Sequence, residues 1–423
     1  MTEDDLYRTS TQYRLWSFTA SSLESLRSST NATATQRVRA AVKRARESRV
    51  SSTSSPNTSS VNASQVDSHA PRVDEGAGYE LQNENDVECL TVAEEQKLVQ
   101  YYCVKAMEMA DFCNFPTNVK ATAVQFMKRF YLFNSPMTYH PRSIMPCALF
   151  LATKTETHYT SLKNFASKVP KTTAEDIIAP EFLITQALRF TFDVRHPFRS
   201  LEGGFMELLA MADGKDGLLK RPAKGVMHDL RLLKRLSGSD TSGQTTQQVK
   251  NRIREAHGKA KEVLKTSAII SDAYFLYTPA QIWLASLLVV DEPLALFYLD
   301  VKFSPPPDSE DENAGFKPLL KTKLITSLRS LAALLQSSTA GAAVITPSTD
   351  EIAELRRIDK KLYKCRNPEK IDLVGLNQAV KREGNDVDES DRNEEEKAAK
   401  KRKGEREKMQ REGEDVFGGP LVT

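Results

Sequence analysis

Six histidines (His69, His140, His158, His196, His228, His257) and five cysteines (Cys89, Cys103, Cys113, Cys147, Cys365) are the side chains from which a metal centre or a nucleophilic site would have to be built. Their spacing builds neither. The cysteines are odd in number and widely separated, with no Cys-x-x-Cys pair, which reads as reduced, buried thiols of the cytosol or nucleus and not as a disulfide frame or zinc site. The histidines are scattered, each expected to be a solvated residue or a cap. There is no Gly-x-x-x-x-Gly-Lys loop to cradle phosphates, no Gly-x-Ser-x-Gly turn and no His-Glu-x-x-His helix. No enzyme activity, cofactor or metal is therefore expected.

The elements along the chain are helical by period. Thr91 and Glu94 make a capping box, after which Leu98, Tyr102, Met109 and Phe112 populate one face. Beyond Pro116 a second helix carries Val119, Ala123, Phe126, Met127 and Phe130 at spacings of three and four, with Lys128 and Arg129 expected to point outward. Phe126, Phe130 and Tyr131 are core positions on this reading. The third helix is apolar on almost every side from Ile144 to Ala152, with Pro146 expected in its first turn. A helix with no polar face is surrounded by others, so this one is the hub of its domain. Ala148 and Ala152, one turn apart, let a neighbouring helix approach closely. A short helix over Leu162 to Lys168 follows. Another begins near Pro180 and carries Phe182, Ile184, Ala187 and Leu188.

Asp193 to Arg199 is an extended crossing, after which the order of features recurs. Leu201, Phe205, Leu208 and Leu209 open a second domain. The span Gly214 to Gln248 reads as a solvent-exposed insertion, and helical period returns with Ile253, Ala256, Ala260 and Val263. Thr278-Pro279-Ala280-Gln281 is a second capping box, launching a second apolar helix from Ile282 to Val290. Tyr139-His140-Pro141 stands before the first hub and Tyr277-Thr278-Pro279 before the second, about 138 residues later, a distance that fits duplicated domains. Helices around Leu319 to Leu335 and Glu351 to Tyr363 follow a Pro-rich loop near Pro305.

Composition sets the outer limits. Fifty-nine basic residues against 56 acidic leave a net charge of +3, which gives no reason to expect nucleic acid as principal ligand. No apolar run approaches bilayer-spanning length, and Met1 to Arg8 is too polar for a secretory signal. Apolar residues are sparse before Cys89 and after Val374. The chain thus divides into an N-terminal helical segment (1–50), a disordered Ser/Thr-rich linker (51–88), a first domain (89–196), a second domain (197–340, with the insertion near 214–248), a C-terminal helix region (341–380) and a charged disordered tail (381–423). Lys400-Lys401-Arg402-Lys403 in that tail reads either as a nuclear import signal or as half of a solvated charge run.

These residues resemble a known family. Ala121-Thr122-Ala123-Val124-Gln125-Phe126-Met127-Lys128-Arg129-Phe130-Tyr131 is similar to the second helix of a cyclin box, and Tyr139-His140-Pro141-Arg142 through Leu151-Ala152-Thr153-Lys154-Thr155-Glu156 to its third. The Tyr-His-Pro-Arg variant, Asp272-Ala273-Tyr274-Phe275-Leu276-Tyr277-Thr278-Pro279 and the N-terminal Tyr13-Arg14-Leu15-Trp16-Ser17-Phe18 resemble cyclins of the H type. The resemblance implies an all-α fold of two boxes of about five helices each, with extra N- and C-terminal helices and disordered tails. In that setting Trp16 and Phe18 belong to a helix packed on the first box.

The resemblance also implies a function. Such cyclins perform no chemistry; they bind a cyclin-dependent protein kinase beside its αC helix and turn that helix into its active position. Carried over by position, Lys154 and Glu181 are the pair that hydrogen-bonds kinase main-chain groups, with Leu151 and Phe192 supplying apolar contact area. Ionised groups bond backbone more strongly than neutral ones and suit a partner segment of any sequence. The implied partners are the kinase, a RING-finger assembly subunit and the TFIIH core in the nucleus, with the RNA polymerase II tail and other cyclin-dependent kinases as substrates. No membrane and no sequence-specific nucleic acid contact are expected. The alternative is a DNA-binding cyclin-fold initiation factor of the factor B family, against which stand the small net charge and the lack of a Cys-x-x-Cys ribbon.

Overall fold

A computed structural model of the chain describes residues 7–53, 87–170, 172–214, 223–232, 245–303, 316–342 and 349–365, and among these every regular element is a helix. Two N-terminal helices, α1 (Thr11–Trp16) and α2 (Ala20–Thr53), precede the first box. That box comprises α3 (Val92–Phe112), α4 (Thr117–Phe133), α5 (Pro141–Thr155) and three short helices: α6 (Leu162–Lys168), α7 (Ala174–Ile178) and α8 (Glu181–Ala187). The second box comprises α9 (Phe198–Ala212), α10 (Ala223–Leu232), α11 (Thr246–Val263), α12 (Ala273–Leu276), α13 (Pro279–Val290), α14 (Glu292–Phe303) and α15 (Phe316–Ala342). A π-helical turn, Leu264–Ala268, continues α11, and α16 (Thr349–Cys365) ends the described chain. The tail from 381, the rest of the Ser/Thr-rich linker and the Pro-rich loop lie outside the described residues.

Both capping boxes form. Thr91 Oγ1 accepts from the Glu94 amide while the Glu94 carboxylate accepts from the Thr91 amide, and Thr278 and Gln281 do the same at α13. The two apolar helices are the hubs. In α5, Ile144, Cys147, Ala148, Leu149 and Ala152 are buried and α3, α4, α7 and α8 wrap around them. In α13, Ile282, Trp283, Ala285 and Leu287 are buried beneath α9, α11, α14 and α15. His140 caps α5 through Nδ1, which accepts from the Arg142 amide. Because the helix already starts at Pro141, Pro146 falls beyond the first turn; its missing N–H withdraws the bond that the Arg142 carbonyl would otherwise receive. At α8, Pro180 is the cap and Glu181 the first helical residue.

Several sequence expectations need correction. Lys128 and Arg129 are buried, not outward. What looks like the outer face of α4 in isolation is covered by α1, α2 and the second box. Lys128 Nζ donates to the Ile270 and Ser271 carbonyls and lies 3.3 Å from Asp272, which Arg27 of α2 grips in a two-bond fork at 2.8 Å. The Arg129 guanidinium lies 4.9 Å from the Trp16 ring centre. Trp16 is completely buried and packs on both boxes, against Leu132, Phe133 and Phe275, with its indole N–H donating to Thr191 Oγ1 at 2.9 Å. The N-terminal helix thus sits at the junction of the boxes and not on the first alone.

Phe112 is 68% exposed because the buried face of α3 runs through Leu98, Cys103, Ala106 and Ala110, and two residues beyond Ala110 is about 200° around the helix. Part of the span 214–248 is not a solvent-exposed insertion. Val226 and Leu230, one turn apart on α10, are buried in the core against α9 and α11. The linker expected from residue 51 is helical to Thr53. Four cysteines are buried and Cys89 half-buried, all five unpaired. His196 is neither solvated nor a cap: its side chain is 8% exposed, between the boxes.

Candidate partner-docking site

The first box brings together two charges that lie 27 residues apart in sequence. Lys154 occupies the last turn of α5 and Glu181 opens α8, so each sits at the helix end its charge favours. The short helices α6 and α7 return the chain so that α8 packs on α5, and Lys154 Nζ meets Glu181 Oε1 at 2.5 Å. The side chains are 44% and 24% exposed. A pair this exposed contributes only about 0–1 kcal/mol to the fold. Its chemical capacity is larger than that: the ammonium has two further N–H donors and the carboxylate keeps lone pairs, so a polar main-chain segment laid across the pair meets both donor and acceptor.

Aromatic packing fixes the lysine. Lys154 Nζ stands 4.8 Å from the Phe150 ring centre; Phe150 stacks on Phe165, and Phe165 on Phe115, at 5.8 and 5.9 Å. Leu151, carried over as an apolar contact, is 5% exposed and packs in the hub core, so it presents little area at the surface of this chain. Phe192 is half-buried with its ring edge-on to Phe126 at 6.2 Å, so it presents only part of its surface.

Sequence reasoning missed the exposed aromatics around this end of the box. Phe182, directly after Glu181, is 61% exposed, and Tyr159, directly after the His158 that packs on Phe115, is 91% exposed. Phe112, three residues before Phe115, is the third. A signal existed for Phe182. It lies two residues from the fully buried Ile184, about 200° away on a helix, and so cannot share its face. Large exposed apolar groups at the same end of the box as a charged pair give the polar-and-aromatic mixture found in protein interfaces.

Comparisons with known proteins follow the same division of the chain. Residues 90–193 match the family description "Cyclin, N-terminal domain" and residues 196–336 match "Cyclin C-terminal domain". Cyclin CCL1 of Saccharomyces cerevisiae is 31% identical over 315 residues, which are 74% of this chain and 65% of that protein. The putative cyclin-H of Dictyostelium discoideum is 36% identical over 119 residues, 28% of this chain and 41% of its own length. The chain therefore spans less than two thirds of the length of these relatives. Among solved structures, a chain of the CAK complex from Chaetomium thermophilum bound to ATP-gamma-S is 30% identical, with a TM-score of 0.64 and coverage of 91% of this chain and 96% of that one. Two boxes, two family matches in the same order and these relatives agree: the chain belongs to the cyclin family, as a cyclin of the H type.

Proposed function

We propose that this chain is a non-catalytic subunit that binds and activates a cyclin-dependent protein kinase, and that Lys154, Glu181 and the exposed aromatics Phe182, Tyr159 and Phe112 form its docking surface. The observation that carries the reading is the meeting of Lys154 and Glu181 at an exposed end of the first box. Membership in the H type supports the narrower assignment: a CDK-activating kinase of TFIIH, acting in the nucleus on the RNA polymerase II C-terminal domain and on other cyclin-dependent kinases. A RING-finger assembly subunit and the TFIIH core complete the proposed set of partners. The similarity to a chain of the CAK complex favours this over the DNA-binding alternative.

The test is a charge reversal that keeps the internal ion pair. Lys154→Glu with Glu181→Lys preserves opposite charges 27 residues apart but inverts the donor and acceptor seen by a partner. The doubly substituted chain keeps its helical circular dichroism and loses kinase affinity at least about tenfold, the equivalent of one charged hydrogen bond. Wild-type affinity with an unchanged spectrum defeats the assignment of the pair. The complex itself is expected to bury more than about 2,000 Å² in total, as obligate interfaces do.

A further inference from the structure

A chain of four hydrogen-bonded side chains crosses from the second box to the docking end of the first. His196, in the link between the boxes, places Nδ1 3.0 Å from the Tyr274 hydroxyl and Nε2 2.8 Å from Thr122 Oγ1; that hydroxyl in turn lies 2.6 Å from Glu156 Oε1. Thr122, Tyr274 and the His196 side chain are buried, and the Glu156 side chain is 22% exposed.

The proton directions follow from what each group can do. An ionised carboxylate only accepts, so Thr122 gives Glu156 its single proton. The Thr122 oxygen then accepts from His196, which carries its proton on Nε2, and Nδ1 accepts from the Tyr274 O–H. Burial, with the nearby positive charge of Arg129, pushes the His196 pKa down to about 3, and burial raises that of Tyr274. Both rings are therefore neutral at physiological pH, as the directions require.

The far end of this chain is the docking site. Glu156 is the C-terminal cap residue of α5, two residues beyond Lys154. Its backbone also ends the helix, since Thr157 turns into the left-handed region at φ +54. Inside a low-dielectric junction such linked bonds reinforce one another and admit few alternative arrangements.

We infer that Thr122 is a positioning residue: by bonding Glu156 on one side and the His196–Tyr274 pair on the other, it ties the last turn of α5, and with it Lys154, to the second box. The inference rests on the docking reading given above. It gives that surface a preset geometry, since a recognition group held by neighbouring hydrogen bonds loses less freedom when a partner arrives.

Thr122→Val keeps the side-chain shape and removes the hydroxyl; Thr122→Ser keeps the hydroxyl. In the free full-length protein, ¹⁵N spectra of His196 show the Nε2–H tautomer for wild type and Thr122→Ser, and lose it in Thr122→Val. Affinity for the kinase subunit that co-purifies with the chain is then measured for these variants, for Lys154→Ala and for Thr122→Val/Lys154→Ala. Thr122→Val weakens binding about tenfold, within the range of coupling energies between residues of one network, and adds nothing on the Lys154→Ala background. Thr122→Ser binds as wild type. If Thr122→Val unfolds the protein, Tyr274→Phe, which removes the donor to His196 Nδ1, takes its place with the same binding expectations, while the Nε2–H tautomer persists because Thr122 still accepts from it. Full additivity with Lys154→Ala, or wild-type binding by Thr122→Val, overturns the positioning role while leaving the docking pair intact. Wild-type binding by Lys154→Ala removes the docking reading and the positioning role with it.

Discussion

Adjacent glycines in α9 respond in opposite directions to the same substitution. A Cβ built on Gly204 lies 2.3 Å from one Trp283 ring carbon and 2.6 and 2.9 Å from two others, whereas one on Gly203 meets nothing within 4 Å. Contact between carbons requires about 3.5 Å or more, so Gly204→Ala forces the indole to move by more than 1 Å. The ring has little freedom to do so. Trp283 is 5% exposed on the hub helix α13 and packs edge-on to Tyr298 at 5.4 Å, and the Tyr298 hydroxyl bonds Glu207. Overpacking of this kind costs up to about 3 kcal/mol. Alanine recovers about 1 kcal/mol of helix propensity over glycine at either position. Gly204→Ala is therefore destabilised by about 2 kcal/mol net, and Gly203→Ala is stabilised by up to about 1 kcal/mol. Denaturant unfolding followed by circular dichroism, with both variants and wild type side by side, measures the two signs. A Gly204→Ala protein as stable as Gly203→Ala would refute the claim that α9 approaches the second hub too closely for a side chain.

Two further outcomes concern the box junction and the thiols. Asp272→Asn leaves Arg27 and the buried Lys128 without their shared carboxylate, a loss of about 3 kcal/mol at neutral pH when a buried pair is broken on one side. The Lys128 and Arg27 charges hold the Asp272 carboxyl, against the opposing effect of burial, well below the usual carboxylate range of about 4. A depressed carboxylate contributes its stability fully above the unfolded value and loses it as pH falls through the folded one. Thermal melts between pH 7 and 2 should accordingly show the wild-type advantage over Asp272→Asn shrinking below about pH 4, and an advantage that persists unchanged to pH 2 would contradict this ion cluster. Thiol labelling of the native protein near neutral pH reaches half-buried Cys89 first, while Cys103, which burial pushes up to about 12, reacts only after unfolding. Equal rates at the two, followed by mass spectrometry of labelled peptides, would count against the packing around α3.

What the sequence disclosed was local and periodic. The caps at Thr91 and Thr278 need only residues three positions away, and the hubs announce themselves by lacking a polar side, so both were legible before any coordinates. Lys128 and Arg129 were misjudged because their burial is imposed by α1, α2 and the loop before α12, more than a hundred residues away in either direction. Periodicity describes a helix against its own box and is silent about a second covering layer. The Lys154–Glu181 pair was legible only through family resemblance, since a separation of 27 residues carries no helical or strand spacing. Leu151 shows the limit of that route: resemblance transfers a position, and only packing decides whether the side chain there reaches the surface. His196 and Thr122 stayed hidden for a related reason: Thr122 stands inside a matched helix with no role attached to it, His196 lies in no motif, and its partner Tyr274 belongs to the other box.

The outer layer of the first box has a consequence for how the chain is made. Ala34 and Val38 of α2 share one apolar cluster with Leu90 and Leu98 and with Ile358 and Leu362 of α16, and Glu94 bonds Arg357 across 263 residues of sequence. At a synthesis rate of about 5–20 residues per second, α3 leaves the ribosome tens of seconds before the helix that covers it. Throughout that interval the nascent first box carries an uncovered apolar stripe, a natural target for chaperones and a point at which premature termination leaves an adhesive product.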